Sequence, residues 1–293
     1  MSVEWLVAAE EPKRLKEFLK YKGISRRIIG RTKFHGGSFE VNGKEVHVRE
    51  KLYTDDSVRL NLPIEEENTK LEASYKEIEI IYEDEHYLIL NKAAGVLSVP
   101  SPVNRKDTIA NRVKGYFIKK NYRHRVVHII TRLDHYTSGV MIVAKNTLAH
   151  SLLGKALEEK AIDKYYEAIV EGYLEEKEAF ISQPIARSSE SIIERVVSSK
   201  GKESITEYRV EKELANQLSH LSLSLHTGRT HQIRVHLSHI GHPLAGDDLY
   251  GGSTDLIKRQ ALHCKRIVFQ HPFTKEKLVF EAELPADMKS ILS

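Results

Sequence analysis

Asp134 lies in a short segment whose residue types could support nucleophilic or acid–base chemistry. The carboxylate follows Arg132 by two residues and precedes a small, hydroxyl-rich turn. The apolar, β-branched run at 139–144 then indicates a buried strand. We therefore expect Asp134 on an ordered loop held by rigid structure, where catalytic residues concentrate. An ordinary aspartate in a turn is the alternative interpretation.

A second polar segment, residues 225–237, combines a strand, a glycine turn and the start of a helix. Turn amides and helix N-termini favour anions, and Arg229, His231 and Arg234 add donors there. A buried arginine needs a carboxylate partner. We expect Arg234 to pair with Asp134 and to keep that acid ionised.

The same region also raises the possibility of a metal site. Five histidines fall within 17 residues: His226, His231, His236, His239 and His242. However, no cysteine lies near them, the first acids are Asp247 and Asp248, and the HExxH pattern is absent. We therefore expect no metal.

The elements around these segments suggest an α+β protein in two parts. Residues 1–66 predict a helix at 14–20, a second helix capped by Ser25, and a hairpin at Asn42-Gly43 with its return strand at 46–48. Residues 67–76 lack periodicity and are interpreted as a linker.

From residue 77 to residue 293 the pattern changes. Strands outnumber helices and the turns between neighbouring strands are short, which favours a mainly antiparallel sheet. Thr230 is expected to cap a helix over 231–240, and Gly241 to end it.

The positive charge of the chain is concentrated at its start. Residues 1–60 carry 13 Lys/Arg against 9 Asp/Glu, whereas the remaining 233 residues carry 32 of each. Such a local field suits a polyanion, most simply RNA, although a solvated helix face would look the same. The residues expected to contact RNA are Lys13, Arg14, Lys16, Arg26, Arg27, Arg31 and Lys33.

Composition and short motifs also bear on the location of the protein and on its cofactors. The single cysteine, Cys264, allows no internal disulfide and favours a cytoplasmic protein, with this thiol as a buried apolar residue. The N-terminus has neither a basic start nor a long apolar run, so we expect no signal peptide and no membrane span. No GxGxxG or P-loop pattern is present, so we expect no cofactor. A monomer is the default expectation.

Several motifs, in one order along the chain, resemble those of the RluA-type pseudouridine synthases. They lie at 91–95, 131–145, 164–172, 227–237, 247–251 and 259–263. The resemblance covers roughly residues 78–290, and residues 13–60 look like the αL RNA-binding module that often precedes this domain. Thr131 stands where the family usually has histidine, and Ala93 where it usually has proline. Both departures bear on substrate positioning rather than on the reaction class.

The resemblance implies an enzyme that isomerises uridine to pseudouridine in structured RNA, with ribosomal RNA favoured over transfer RNA. It implies Asp134 as the essential acid, which attacks the anomeric carbon or removes the neighbouring sugar proton. Arg234 would be its ionic partner. Tyr166 would stack on uracil and take part in the final proton removal. The residues expected to bind or position the substrate are Arg132, Thr137, Ser138, Lys164, Arg229, His231, Gln232 and Ile233.

Within that set, Arg132 is expected to fill the space that the flipped uridine leaves, and Thr137 and Ser138 to brace the Asp134 loop. Two other classes stay open at this point. One is a non-catalytic RNA-binding protein on the same fold, and the other is a metal-dependent hydrolase that uses the histidines.

Overall fold

The computed structural model describes residues 2–102 and 104–293 of the chain. Met1 and Val103, which fall within the predicted N-terminal module and the predicted catalytic domain, lie outside the described residues. The helices are α1 (Leu15–Tyr21), α2 (Arg26–Phe34), α3 (Ile109–Lys119), α4 (Thr147–Glu158), α5 (Gln232–His239) and α6 (Ala286–Leu292). The strands are β1 (Ser2–Leu6), β2 (Ser38–Val41), β3 (Lys44–Glu45), β4 (Ser57–Asn61), β5 (Glu79–Glu83), β6 (Tyr87–Lys92), β7 (His128–Ile129), β8 (Ser138–Ala144), β9 (Ile162–Glu171), β10 (Glu178–Ser182), β11 (Ile185–Arg187), β12 (Arg195–Val197), β13 (Ile205–Leu214), β14 (Leu218–Leu225), β15 (Leu262–Gln270) and β16 (Lys277–Glu281).

A ten-stranded sheet forms the centre of the molecule. Its main path runs β10-β13-β14-β9-β15-β8-β6-β5, while β16 joins β15 and β7 joins β8. Only the β8–β15 pair is parallel among the described strand pairs of this sheet. The predicted α+β class with a mainly antiparallel sheet is confirmed. No helix within the described ranges is both long and apolar enough to cross a bilayer.

The central strands β6 and β8 are covered on both faces. Tyr87 and Ile89 point into one core with residues of α4, whereas Leu88 and Leu90 point into a second core with residues of α3. This alternation is the period of two that a strand requires. Because both faces are buried, the sequences of β6 and β8 are almost continuously apolar.

The N-terminal residues form two helices and a separate four-stranded sheet of order β1-β4-β2-β3. Ser25 caps α2 as predicted, accepting a hydrogen bond from the Ile28 amide at 3.3 Å. The return strand of the hairpin was predicted too late in the chain. Asn42 and Gly43 both adopt positive φ, 50° and 74°, and make a tight two-residue turn, so that pairing resumes at Lys44.

The segment between the two parts, residues 64–76, has no helix or strand, but it is not a free tether. It lies across α3, where the Ser74 amide donates to the Asn111 carbonyl at 3.0 Å and Lys114 Nζ donates to the Leu71 carbonyl at 2.8 Å. Leu148 of α4 in turn completes the apolar core of the N-terminal module. The module is therefore packed against the larger part of the chain.

Candidate active site

The register of the sheet brings the expected catalytic segments into one row. Gly139 at the start of β8 lies opposite Cys264 of β15, and Cys264 lies opposite Tyr166 of β9. Gly139 has φ of +116°, and a Cβ there would lie 2.2 Å from the Cys264 carbonyl oxygen, so only glycine fits. The Asp134 loop thus enters the sheet two strands away from Tyr166, about 10 Å at ordinary strand spacing.

Asp134 is partly open to solvent, with 26% of its side chain exposed. Its Oδ2 lies 3.5 Å from Arg234 Nη1 and 3.9 Å from His231 Nε2. Both groups come from the start of α5. The guanidinium and the imidazole therefore both face one oxygen of a carboxylate that solvent can still reach.

The principal partner of Arg234 is Asp247, which the sequence analysis did not assign. Arg234 Nε and Nη2 donate to the two Asp247 oxygens, each at 2.7 Å. Asp247 is fully buried and Arg234 is 7% exposed. The expected contact between Arg234 and Asp134 is present, but it is the weaker of the two ion pairs that Arg234 makes. Asp247 holds two of its nitrogens in a bidentate pair, and this leaves the third, Nη1, directed at Asp134.

Tyr250 lies on the other side of this pair. Its ring centroid is 4.8 Å from the Arg234 guanidinium carbon, and its hydroxyl is 2.8 Å from His231 Nδ1. The same hydroxyl accepts a hydrogen bond from the Arg195 amide at 3.0 Å. Burial lowers the pKa of His231 despite the opposing effect of Asp134. Tyr250 thus restrains both side chains that face Asp134, those of Arg234 and His231.

The turn before α5 is held by Gln232. Its side-chain oxygen accepts hydrogen bonds from the Thr227 hydroxyl at 2.7 Å and the Arg229 amide at 3.0 Å, and its amide group donates to β13. The predicted cap at Thr230 is wrong. The N-cap is His231 in a left-handed conformation with φ of +57°, and no side chain caps the helix. Gly241, with φ of +84°, follows the end of the helix as predicted.

Tyr166 is buried in the same region, with 7% exposure. Burial, together with Cys264 and Asp134, raises its pKa well above the ordinary value, so the phenol is protonated at neutral pH. Lys164, two residues earlier on the same face of β9, has a pKa lowered by burial. Its ammonium lies 3.2 Å from the place where Gly228 would carry a Cβ, which ties β9 to the turn before α5.

The backbone on both sides of Asp134 is clamped by residues 92–98. Ser98 Oγ donates to the Leu133 carbonyl at 2.7 Å and accepts from the Leu133 amide at 3.1 Å. Lys92 Nζ and the Gly95 amide both donate to the His135 carbonyl, at 3.1 and 3.0 Å. Burial lowers the pKa of Lys92, which is completely buried, to about 7. This clamp ties the loop to the end of β6 and to the residues that follow that strand.

The clamp and the pair partner were missed because the sequence analysis gave no role to residues 91–95 and 247–251. Two signals were available. Lys92 directly ends an otherwise apolar strand, and Asp247 is the first acid after the helix that carries Arg234. A lysine and a carboxylate at such places need partners, which here are backbone carbonyls and a guanidinium.

The remaining expected substrate-binding residues divide into two groups. Arg132 and Arg229 are exposed at the cleft segments, whereas Thr137, Ser138, Gln232 and Ile233 are buried. Ser138 Oγ is 2.9 Å from His263 Nδ1, and Thr137 Oγ1 accepts from Gln260 at 3.3 Å. Side chains held in this way support the loop and the turn rather than face a ligand.

The residues expected to bind RNA in the N-terminal module also divide. Arg14, Lys16, Arg26, Arg27 and Lys33 are exposed. Lys13 instead donates to the Ala8 carbonyl at 2.6 Å, and Arg31 lies 3.7 Å from the buried Glu65. These two cations take part in internal contacts of the chain.

The histidines of residues 226–242 do not converge. His236 contacts Thr206 and the Gln183 carbonyl, and His242 contacts the Glu171 carbonyl. Across residues 2–102 and 104–293, no group of three or more His, Cys, Asp or Glu side chains is arranged to hold a metal ion.

Comparison with known proteins decides the family. Residues 86–239, which include Asp134, Tyr166 and Arg234, match the family model described as RNA pseudouridylate synthase. The chain belongs to the RNA pseudouridine synthase family. The family predicted from the motifs is therefore confirmed, and with it the class of enzyme.

Named relatives extend this synthase assignment over almost the whole chain. The synthase is 41% identical to "Uncharacterized RNA pseudouridine synthase YjbO" of Bacillus subtilis (strain 168), over 95% of this chain and 98% of that one. It is 35% identical to "Ribosomal large subunit pseudouridine synthase D" of Pasteurella multocida (strain Pm70), over 86% and 81% of the two chains. The solved structure of "Human RNA Pseudouridylate Synthase Domain Containing 1" matches with a TM-score of 0.59 and 27% identity, covering 72% of this chain and 85% of that one.

Proposed function

We propose that the synthase isomerises specific uridines in ribosomal RNA, with Asp134 as the reacting carboxylate. The pair formed by Asp134 and Arg234 at 3.5 Å is the observation that carries the assignment of the acid. Relatives named as ribosomal large subunit synthases support ribosomal RNA over transfer RNA. The exposed basic side chains of α2 support a polyanionic substrate.

The reaction conserves the atoms of uridine. The bond between the ribose C1′ and the uracil N1 breaks, the base turns, and a bond forms between C1′ and C5. The C5 proton leaves and N1 carries a proton in the product. An ionised Asp134 can begin this sequence by attack at C1′ or by removal of the adjacent sugar proton, and neither route consumes an oxidant or a metal.

The other side chains serve this step by position. Asp247 and Tyr250 orient Arg234, so that its free Nη1 faces Asp134 before the substrate arrives. A hydrogen-bond donor that is already oriented does not have to reorganise when charge moves in the transition state, so no free energy is spent on its reorientation. Tyr166 is assigned to stack on the uracil and to take part in the final removal of the C5 proton.

The target uridine must leave its stack to reach Asp134, at a cost of a few kcal/mol. Arg132 is exposed two residues before the carboxylate and carries no ion pair with any acid in the described ranges. We assign it the space that the flipped base vacates. Lys164 and Arg229 border the same cleft on the β9 and α5 sides.

The experiment that tests the function measures tritium release from RNA labelled at C5 of uracil. Wild type and Asp134→Asn are compared on ribosomal and on transfer RNA, and RNA binding is measured in parallel. We expect release from ribosomal RNA by wild type only, with binding retained by the variant. Equal release by both proteins would remove Asp134 from the reaction. Binding of RNA without release by wild type would favour a binding protein on the synthase fold.

A further inference from the structure

A second basic stretch, inside the catalytic part of the chain, is not used by the proposed reaction. Residues 108–133 contain seven Lys/Arg and no Asp/Glu: Arg112, Lys114, Lys119, Lys120, Arg123, Arg125 and Arg132. The overall charge balance of residues 61–293 conceals this stretch, because equal numbers of acids lie elsewhere. It runs through α3 and its following loop, then through β7, and ends beside Asp134.

Only some of these charges are available to a partner. Arg112 pairs with Asp107, and Lys114 donates to the carbonyls of residues 68 and 71. Lys119, Lys120 and Arg123 are exposed, and none of them forms an ion pair with an acid in residues 2–102 or 104–293. Lysines at the end of a helix can be explained by the helix dipole, but Arg123 lies beyond the helix.

The loop after α3 meets α2 of the N-terminal module. Glu65 joins α2 to β7, the strand that follows this loop, since its Oε2 lies 2.8 Å from His128 Nε2 and 3.7 Å from Arg31 Nη1. His124 and Arg31 line one small cavity at this junction. The outer face of α2 there presents Arg26 and Arg27, both exposed. Arg123 is next to His124 in the chain, and Arg27 lies one helical turn before Arg31, so these two cations come from segments that meet at this junction.

We propose that Lys119, Lys120 and Arg123 form one RNA-binding surface with Arg26 and Arg27, which binds the sugar–phosphate backbone of the substrate outside the target uridine. This proposal, the junction surface, rests on the proposed function because it takes the same RNA as its ligand. Exposed point charges without bases to read fit the backbone rather than a sequence.

The short chain segment between Arg123 and Arg132 limits how far the contact with the RNA backbone can lie from the target uridine. Arg132 follows Arg123 by nine positions in the chain, and nine extended residues span at most about 32 Å. The phosphates on the junction surface thus belong to the same RNA element as the target uridine, or to an element directly beside it. The surface would anchor the RNA stem while the flipped base enters the cleft.

The test neutralises three charges at each of two places in the full-length protein. The first variant is Lys119→Gln/Lys120→Gln/Arg123→Gln. The control is Lys177→Gln/Arg209→Gln/Lys212→Gln, which removes the same number of charges from exposed residues at the β10–β13 edge of the sheet, where Lys177 and Arg209 pair with Glu213 and Glu178. Strands β13 and β10 lie five and six strand steps from β6, about 24 and 29 Å.

Binding of a large-subunit ribosomal RNA transcript is measured as a function of KCl concentration. Each lost phosphate contact lowers the slope of log K against log salt by about 0.7–0.9. We expect a loss of about 2 in slope for the junction variant and no change for the control, with KM raised and kcat retained. Equal slopes for the two variants would overturn the junction surface.

Tritium release in the same preparations separates this proposal from the proposed function. If wild type releases tritium while both variants keep the wild-type slope, the function stands and the junction surface fails. If wild type releases none but the junction variant alone loses slope, the surface stands and the function fails.

Discussion

The buried pair between Arg234 and Asp247 makes a strong prediction about stability. Asp247 is fully buried, and no second cation lies within 4 Å of its oxygens among the described residues. Replacing Arg234 by Met therefore leaves a buried carboxylate without a partner. Breaking a buried pair in this way costs about 3–5 kcal/mol.

Replacing the partner, Asp247, should lower the free energy of unfolding by less, because Arg234 has a second carboxylate within reach. In Asp247→Leu the guanidinium can close the 3.5 Å gap to Asp134 and form a direct pair with it. We expect a loss of about 1–3 kcal/mol, the range for one unmade hydrogen bond to a charged group. The double variant, Arg234→Met/Asp247→Leu, should lose less than the sum of the two, since it leaves no buried charge unpaired.

Urea unfolding of the four proteins, followed by circular dichroism, measures these three differences. Arg234→Met should lose more stability than Asp247→Leu. The coupling free energy between the two substitutions should be at least about 1 kcal/mol. Tritium release should fall about a hundredfold in Asp247→Leu, because the pair that forms removes Asp134 from its position. Additive losses, or an Asp247→Leu protein with normal release, would refute the view that Asp247 positions Arg234.

Two further predictions concern the supports of the site. Burial alone would raise the pKa of Glu65, but hydrogen bonds and charge from His128 and the hydrogen bond from the Thr147 amide lower it to about 2, from 4.5. A lowered carboxyl pKa stabilises the folded state above pH 4.5, and this contribution is lost as the pH falls towards 2. Glu65→Gln should therefore be less stable at pH 7 by at most about 3 kcal/mol, a difference that shrinks below pH 4.5 in urea titrations, whereas a constant difference would contradict the shift. Ser98→Ala leaves the amide and carbonyl of Leu133 without their partner, so we expect a loss of about 1–3 kcal/mol and a lower single-turnover rate at unchanged RNA affinity. An unchanged rate in the destabilised variant would limit Ser98 to a structural role.

Local patterns predicted the elements whose signals lie within a few residues. The Asn42-Gly43 turn and the Ser25 cap each depend on a side chain or a φ angle near the residue itself. Strand β1 and helix α3 were missed for the opposite reason. The first is stable because it pairs with β4, more than 50 residues later, and the second contains Gly115, which a helix tolerates poorly.

A tertiary contact explains why α3 contains Gly115. A Cβ at this position would lie 2.0 Å from the Ser74 carbonyl oxygen. Glycine is needed at this position because residues 68–76 cross the helix there. The packing of this segment on α3 offsets the low helix propensity of glycine. This information belongs to the tertiary structure, so no periodicity within α3 could have supplied it.

The candidate site also has features that the sequence predicts and features that depend on the tertiary structure. The motifs predicted Asp134, Tyr166 and Arg234 as a set, and the sheet register brings β8, which follows the Asp134 loop, within two strands of β9, which carries Tyr166. Which carboxylate Arg234 prefers could not be read from spacing, because Asp134 is 100 residues before it and Asp247 only 13 after it. The choice depends on burial. A fully buried Asp247 needs both nitrogens of the fork, whereas a partly exposed Asp134 can be solvated and is left with the third. A partly exposed, weakly paired carboxylate beside a rigidly paired arginine is also the arrangement that the proposed reaction requires, because the acid must reach the substrate.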